Sequence, residues 1–236
     1  MRLKNQRVLI VGASRGLGFA TAYFAMKDGA AVAINARDKK KLDALVRSLS
    51  GYGKVFGIAG DALTDSKKIV NEAAKRLGGL DHVSVMVGGY EEDTIEAPKS
   101  LEAMLANHIK APVLVANAAV GRLNRGSSIT LVSSIKGISK ASPNQLSYGI
   151  GKAGTAKLVE ILSSELLGRG IRINAIAPHS IKGDFEPERN WKRLRKLGDM
   201  SAPPEDFARV IVWLMTDEAE FVNGATIPMD GGLRFS

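Results

Sequence analysis

Residues 7–18 read Arg7-Val-Leu-Ile-Val-Gly12-Ala-Ser-Arg-Gly16-Leu-Gly18, a short apolar run that leads directly into three glycines. The run has the length of a buried strand, and the residues after the glycines have the periodicity of a helix. Glycines at such a junction permit a tight turn and close approach of the backbone to a phosphate, while the helix N-terminus offers free N–H groups to an anion. The stretch therefore predicts a dinucleotide-binding turn, with these candidate contacts: Gly12, Ser14, Arg15, Gly16, Leu17 and Gly18.

The same alternation of strand and helix patterns continues along the chain. The predicted strands are Arg7–Val11, Ala31–Asn35, Val55–Ile58, Val83–Val87, Ser128–Ser133, Arg172–Ala175 and Thr226–Met229. The predicted helices lie at about 16–28, 38–49, 64–77, 99–120, 145–168 and 204–216. Strict alternation favours parallel strands joined by crossover helices. The expected fold is α/β: a Rossmann-type doubly wound, mostly parallel seven-stranded sheet with helices on both faces, in one domain spanning residues 1–236.

One long polar stretch, at about 179–203, departs from the alternation. Irregular segments of this length inside compact domains are often lids over a site, so we expect a substrate lid here, with a short helix around Pro187–Leu197. Its basic side chains could attract anionic carbonyl compounds such as thioesters of coenzyme A or acyl carrier protein; the alternative is a solvated basic helix face. These side chains are Lys192, Arg193, Arg195 and Lys196.

Composition excludes several classes of protein. The absence of cysteine excludes disulfides, thiolate catalysis and cysteine-based zinc sites, and the three histidines are not spaced as metal ligands, so no metal is expected. The net charge is +9, from 33 Lys and Arg against 24 Asp and Glu, but the basic residues are scattered, which predicts no nucleic-acid partner. We expect no membrane span, since no apolar run approaches about 18–20 residues, and no signal peptide, hence a cytoplasmic protein.

The end of the second predicted strand bears on the choice of nicotinamide cofactor. NAD-binding folds place a carboxylate here for the ribose 2′-hydroxyl, but this chain has Ala36 followed by Arg37. Arg37 and Arg15 could instead bind the 2′-phosphate of NADP, and Asp38 has the position of a helix N-cap. The alternative is that both arginines are ordinary surface residues; the pair favours NADP.

Tyr148 and Lys152 open a predicted helix and lie four residues apart, on one helical face. A phenol is too weak an acid for efficient proton transfer at neutral pH unless its pKa is lowered, and a neighbouring ammonium group is expected to lower it. Ser134 stands at the end of the fifth predicted strand, on the sheet edge where such folds bind ligands. These three side chains predict a site for acid–base chemistry.

The order and spacing of these motifs resemble the short-chain dehydrogenase/reductase family, most closely its 3-oxoacyl-carrier-protein reductase-like members. The resemblance covers nearly the whole chain, including Ile171–Pro178 and Met229–Gly232. It implies that Ser134, Tyr148 and Lys152 are catalytic, and that Tyr148 and Lys152 also contact the cofactor. Further cofactor contacts implied by the resemblance are Asp61 and Ala62 at the adenine, and Gly88, Pro178 and Ile181.

The chain departs from the family pattern at several positions. Val11 and Val85-Met86 replace a Thr and an Asn that brace the central strands in relatives, so we expect apolar packing instead. The catalytic Asn of the family corresponds to Asn107 by residue type, but to His108 by its distance from Lys110-Ala-Pro112. Both remain candidates for the proton relay, and the neutral carboxamide slightly favours Asn107.

Two further departures lie after the sixth predicted strand, where His179 and Gly183 replace a Gly and a Thr and leave the nicotinamide contacts less specified.

The resemblance implies an NADP-dependent oxidoreductase that transfers a hydride between NADPH and a carbonyl or alcohol substrate. A 3-oxoacyl thioester is one candidate substrate; a sugar, a polyol or a small ketone is the alternative. A nucleotide-binding regulatory or scaffold protein without turnover is the alternative from another class. A homo-oligomer, expected to be a tetramer, would pack through the predicted helices at about 99–120 and 145–168.

Overall fold

The computed structural model describes residues 1–139 and 141–235, so Lys140 and Ser236 of the predicted domain lie outside the described residues. Seven parallel strands form one sheet in the order β3-β2-β1-β4-β5-β6-β7, which confirms the predicted fold class. The strands are β1 Arg7–Val11, β2 Ala31–Ala36, β3 Val55–Ala59, β4 His82–Val85, β5 Ser128–Val132, β6 Arg172–Pro178 and β7 Thr226–Met229.

Helices connect the strands close to the predicted positions. They are α1 Leu17–Lys27, α2 Lys39–Leu49, α3 Ser66–Leu77, α4 Leu101–Leu105, α5 Ala111–Val120, α6 Ile135–Ile138, α7 Leu146–Leu166 and α8 Pro204–Met215. The predicted helix at 99–120 is not uniform, because a π-helical turn at Ala106–Lys110 separates α4 from α5. The short helix α6 was not predicted.

Two apolar layers enclose the sheet, one on each face. Along β1, Val8 and Ile10 pack in the layer that contains α1, α2 and α8, whereas Leu9 and Val11 pack in the layer that contains α3, α5 and α7. This alternation follows from the period of two residues in a strand. Because helices cover both faces, β1 is apolar on both sides from Val8 to Val11, as is typical of strands in parallel sheets.

The expected loss of a polar brace between the central strands is visible in β1 and β4. Val11 and Val85 are register partners, and both are buried in the same apolar layer. Replacing both members of a polar pair leaves no buried group without a partner, so apolar packing is compatible with stability here.

One helical stretch, Leu101–Val120, is long and apolar enough by length and composition to span a membrane, contrary to the expectation from the sequence. Its most apolar window is 39% buried within the protein, and Val115, Ala116 and Ala119 pack in the core. Core helices of soluble proteins meet the same criterion, so this helix alone does not indicate a membrane protein.

The strand order reverses between β1 and β4, because β1 pairs with β2 on one side and with β4 on the other. Ligands of open α/β sheets bind at the carboxyl ends of the strands beside such a reversal. The glycine turn after β1 and the segments that follow β4, β5 and β6 meet at this edge.

Candidate active site

The glycine turn after β1 has the geometry of a phosphate-binding loop. Gly12 has φ +85°, and a Cβ there would lie 2.7 Å from the backbone nitrogen of Val87, so only glycine fits. A Cβ on Gly18 would lie 2.6 Å from Cα of Ala13, which fixes the close packing of α1 on the turn. Gly16 provides no side-chain cap for α1, so the first N–H groups of the helix remain available to an anion.

A groove of about 860 Å³ extends from this turn across the ends of β2 and β3. The predicted cofactor contacts that line it are Gly12, Ser14, Arg15, Gly16, Arg37, Asp61, Ala62 and Gly88. Asn35 keeps its walls in place by donating hydrogen bonds to the carbonyls of Ile58 at 2.9 Å and Gly60 at 3.1 Å.

The charged residues at the end of the groove next to β2 and β3 are of both signs. The Arg37 side chain is 80% exposed and lies 3.9 Å from the carboxylate of Asp61. Asp38 accepts a hydrogen bond from the Lys41 backbone N–H at 3.0 Å, which makes it the N-cap of α2 as expected. Asp61 accepts from the Leu63 N–H at 2.8 Å, so its carboxylate also shapes the local turn.

Ser134, Tyr148 and Lys152 line one pocket of about 580 Å³ next to the groove. Ser134 is 2% exposed and its hydroxyl donates to the carbonyl of Pro178 at 3.3 Å. Lys152 is 5% exposed, and its ammonium donates to the carbonyl of Val132 at 2.8 Å. Seven more of the predicted contacts line the same pocket; they are Gly12, Ser14, Leu17, Gly18, Gly88, Pro178 and Ile181.

The close contact of α6 with α7 brings these groups together. A Cβ on Gly137 would lie 2.4 Å from the carbonyl carbon of Lys152, so glycine is required where the helices cross. Ser133 donates to the Lys152 carbonyl at 2.7 Å and joins the end of β5 to the same turn of α7. Gly137 is visible in the sequence next to Ser134, but the sequence does not show that Lys152 is the residue it contacts.

The expected lowering of the Tyr148 pKa is not what the structure shows. Burial raises the pKa of Tyr148 above its ordinary value, although the Ser134 hydroxyl acts in the opposite direction. The ammonium of Lys152 lies 5.8 Å from the centre of the Tyr148 ring, and burial lowers its own pKa to about 7. The cost of burying a phenolate therefore outweighs its stabilisation by the Ser134 hydroxyl and sets the direction of the shift.

His108, rather than Asn107, contacts the tyrosine. His108 is 1% exposed, and its ring meets the Tyr148 ring edge-on with the centroids 5.6 Å apart. Asn107 is half-buried, lines the cofactor groove and donates to the carbonyl of Gly88 at 3.3 Å. The two candidates thus face different parts of the site.

The imidazole of His108 is held in one protonation state. Burial, and to a smaller extent the charge of Lys152, lowers the pKa of His108 to about 3. Nε2 lies 3.2 Å from the carbonyl oxygen of Gly89, and since a carbonyl can only accept, Nε2 carries the hydrogen. Nδ1 is then an acceptor, buried and without a partner in the part of the chain that the structure describes.

The π-helical turn at Ala106–Lys110 delivers His108 to this place. Thr155 of α7 donates its hydroxyl to the carbonyl of His108 at 2.8 Å, a contact within the widened turn. Single π turns inside α-helices occur frequently at functional sites. No residue pattern in 106–110 distinguishes this turn from an ordinary helix, so the sequence did not predict it.

Asp93 is a residue of the site region that the sequence did not single out. Its carboxylate is 4% exposed and accepts hydrogen bonds from the N–H and hydroxyl of Ser147, at 3.0 and 2.5 Å. It also accepts from the N–H and hydroxyl of Ser100, at 3.2 and 2.8 Å. The bonds from Ser147 are the main reason that the pKa of Asp93 falls to about 2.

Asp93 thereby joins the first residues of two helices. Ser100 is the N-cap of α4, which leads to His108, and Ser147 immediately precedes Tyr148 in α7. Gln145, the N-cap of α7, contributes no side-chain cap, so Asp93 satisfies orphan donors of that helix from a distant segment.

The remaining wall of the 580 Å³ pocket includes Tyr90, Lys136, His179 and Met200. The Tyr90 ring lies 5.0 Å from that of Tyr148, edge to face, and its hydroxyl accepts a hydrogen bond from Gln145 at 3.0 Å. Among residues 1–139 and 141–235 no group of three or more His, Asp or Glu is placed to hold a metal ion.

The predicted lid segment is attached to the body at several points. Arg189 makes two hydrogen bonds to the carboxylate of Glu205, at 2.5 and 2.8 Å, and Arg195 makes two to Asp206, at 2.9 and 2.8 Å. Instead of the expected helix around Pro187–Leu197, a short 3₁₀ turn spans Trp191–Leu194.

Comparisons with known proteins agree with this geometry. A sequence model of the family described as Enoyl-(Acyl carrier protein) reductase matches residues 12–234. Dehydrogenase/reductase SDR family member 4 of Homo sapiens is 32% identical over 254 residues, covering 98% of this chain and 88% of that protein. 3-oxoacyl-[acyl-carrier-protein] reductase FabG of Thermotoga maritima is 32% identical over 248 residues, covering 99% of both chains. A solved structure of a short chain dehydrogenase from Burkholderia cenocepacia in complex with NADP is 25% identical, with a TM-score of 0.88 over 99% of each chain.

Proposed function

Because this chain belongs to the short-chain dehydrogenase/reductase family, it is a nicotinamide-dependent oxidoreductase of CH-OH and C=O groups, and we propose that it transfers a hydride between NADPH and a carbonyl compound. The observation that carries this proposal is the convergence of Ser134, Tyr148 and Lys152 in one pocket beside an uncapped helix N-terminus. The same convergence argues against a regulatory or scaffold protein without turnover.

Each of the three side chains has a distinct role. Tyr148 donates a proton to the oxygen of the carbonyl as that oxygen gains negative charge. Ser134 donates a hydrogen bond to the same oxygen and stabilises the developing charge. Lys152 has an ammonium group that would hold the nicotinamide ribose and favour phenolate in the reverse reaction. A bound nicotinamide would supply or accept the hydride.

His108 is our candidate for the proton relay, in place of Asn107. Its ring contacts that of Tyr148, and among the described residues its buried Nδ1 has no hydrogen-bond partner. A neutral imidazole can accept a hydrogen bond from a water molecule there. Asn107 is assigned to the cofactor groove instead.

Preference for NADP over NAD rests on the end of β2. Ala36 supplies no carboxylate for the ribose 2′-hydroxyl, while Arg15 and Arg37 both line the groove at that point. Paired donors of arginine match a phosphate dianion well.

The substrate and the assembly are inferred on other grounds. A 3-oxoacyl thioester is the candidate that the relative from Thermotoga maritima favours; sugars, polyols and small ketones are the alternatives. A homotetramer is proposed because α4, α5 and α7 carry exposed apolar side chains, namely Leu105, Val113, Ile150 and Ile161. We place the enzyme in the cytoplasm, as a single domain with a lid at 179–203.

The experiment that tests the function is a panel of carbonyl compounds assayed by the loss of NADPH absorbance, for the wild type and for Tyr148→Phe. Removing the phenolic hydroxyl should lower kcat by about 10²–10⁴-fold, because general acid catalysis is lost while the ring packing is kept. NADPH affinity, measured by fluorescence titration, should change little. A variant that retained half of the wild-type rate would contradict the assigned mechanism.

A further inference from the structure

The pocket that holds Ser134 and Tyr148 has a one-sided distribution of charge. Two lysines, Lys136 and Lys152, line it, and among the described residues no Asp or Glu does. Lys152 is buried and engaged with the carbonyl of Val132. Lys136 is therefore the cation in this pocket that is left for a ligand.

Lys136 is fixed in place by the short helix that carries it. Ser134 caps α6 by accepting a hydrogen bond from the Lys136 N–H at 3.2 Å, and Gly137 presses the helix against Lys152. The Ser134 hydroxyl and the backbone that carries Lys136 thus belong to one tightly packed turn. A group held by Lys136 would therefore lie in the same pocket as a carbonyl held by Ser134, within reach of the lysine side chain.

The ammonium of Lys136 is under-used within the protein. It is half-buried, and its hydrogen bond goes to the hydroxyl of Ser142 at 2.7 Å. In the part of the chain that the structure describes it pairs with no carboxylate. An ammonium carries three donors, so two remain for a ligand, and a partly buried cation interacts with an anion more strongly than a surface lysine does.

We propose that Lys136 binds an anionic group of the substrate, which makes small oxo acids, with a carboxylate a few bonds from the carbonyl, the substrate class of this enzyme. This inference rests on the proposed carbonyl-reducing function. The size of the pocket agrees with it, because the 580 Å³ must also receive the reactive end of the cofactor. A thioester of a carrier carries its charges many bonds away from the carbonyl and would place no anionic group beside Lys136, whose hydrogen bond goes to Ser142.

The basic lid gives a competing explanation for any preference for anions. Arg195 of the lid is already neutralised by Asp206 through two hydrogen bonds, and Lys192 lies over the ring of Trp191. Steering by the lid would act at long range and be screened by salt, whereas contact with Lys136 distinguishes substrates that differ by one charge beside the same carbonyl.

The test compares benzoylformate with its methyl ester, which share a carbonyl and differ by the carboxylate charge. We expect the wild type to have the higher kcat/KM for the acid, and Lys136→Gln to lower the acid-to-ester ratio of kcat/KM at least ~10-fold, the effect of one charged hydrogen bond. Lys136→Arg should keep most of the preference. The matched control is Lys68→Gln, which removes the same charge from the exposed face of α3 and should leave the ratio unchanged.

A binding arm separates this proposal from the proposed function. Calorimetric titration of both compounds into protein saturated with NADP⁺ measures affinity without reduction. The acid should bind at least ~10-fold more tightly than the ester in the wild type, and equally in Lys136→Gln. If the ester is reduced but the ratios are unaffected by Lys136→Gln, the role of Lys136 is wrong. If neither compound nor any other carbonyl is reduced while the binding difference holds, the proposed function is wrong and the anion site stands.

Discussion

At the scale of single residues, the site combines groups whose protonation states are set by burial. His108 is kept neutral, Tyr148 is kept as a phenol, and Lys152 is brought to a pKa of about 7. A phenol that stays protonated can donate to a carbonyl oxygen, and a lysine near neutrality can return a proton to it. These protonation states are compatible with Tyr148 acting as a proton donor at neutral pH.

Replacing His108 and Asn107 separately tests the assignment of the relay. His108→Ala should lower kcat about 10-fold or more, because the buried acceptor beside Tyr148 is lost. Asn107→Ala should leave kcat within about twofold and raise the KM for NADPH, since uniform binding is lost without an effect on chemistry. Steady-state kinetics with NADPH and one reduced substrate give both parameters. Equal and negligible effects on kcat would exclude the relay from this position.

Arg37 offers a direct test of cofactor preference. Arg37→Ala should weaken NADPH binding about tenfold while NADH binding changes little, because NADH has no 2′-phosphate for Arg37 to bind. The expected factor is small because the free energy of a charged hydrogen bond lies at the lower end of its range when the arginine is exposed. Adding Ala36→Asp should reverse the preference toward NADH. Titration of both cofactors into both variants provides the measurement. If the wild type binds NADH as tightly as NADPH, the assignment of NADP is wrong.

At the scale of elements, the reaction geometry depends on how α4 and α7 begin. Asp93 accepts hydrogen bonds from Ser100 and Ser147, near the first residues of both helices. The π turn determines the direction in which the His108 side chain leaves the helix. Gly137 allows α6 to pack closely against α7. The helix and strand patterns in the sequence predicted nearly all boundaries, and i,i+4 spacing predicted the joint placement of Tyr148 and Lys152. The π turn and the Asp93 bridge depend on tertiary contacts between segments far apart in the chain, so local periodicity could not reveal them.

Asp93→Asn should disturb catalysis more than cofactor binding. The amide nitrogen would face donors where the carboxylate accepted, so the starts of α4 and α7 should separate, and misplacement of this kind can lower kcat by up to about 10²-fold. The Ser134 hydroxyl lowers the pKa of Tyr148, so a weaker contact between them should raise that pKa. The part of the pH–rate profile that reports the ionisation of Tyr148 should therefore move to higher pH. NADPH affinity should be retained, because the glycine turn lies elsewhere. Glu91→Gln, an exposed change two residues away, is the control, and equal profiles for both variants would contradict a positioning role.

At the scale of the whole molecule, buried histidines make stability dependent on pH. His82 is 3% exposed at the start of β4, its Nδ1 lies 2.9 Å from the Ser128 hydroxyl, and burial lowers its pKa from 6.5 to about 4. Between these two values the unfolded chain binds more protons than the folded one, so the free energy of unfolding falls as the pH falls through this window.

The size of the pKa shift implies that His82 lowers the free energy of unfolding at pH 4 by on the order of 3 kcal/mol relative to neutral pH. Urea unfolding followed by circular dichroism at pH 7.5, 6 and 4.5 should show the loss in the wild type. His82→Asn should be less stable at pH 7.5 but lose less on acidification. If the free energy of unfolding depends on pH equally in the variant and in the wild type, His82 does not take up a proton when the protein unfolds.

The contact between His108 and Gly151 also limits the order in which this site can change by mutation. A Cβ on residue 151 would lie 3.0 and 3.2 Å from two carbons of His108, so the imidazole and the missing methyl group form an epistatic pair. A side chain at residue 151 would require His108 and the Met104 carbonyl oxygen, 3.2 Å away, to shift by a few tenths of an ångström, whereas glycine requires no such shift. The two positions are therefore coupled, and directed evolution of this site should vary residues 108 and 151 together.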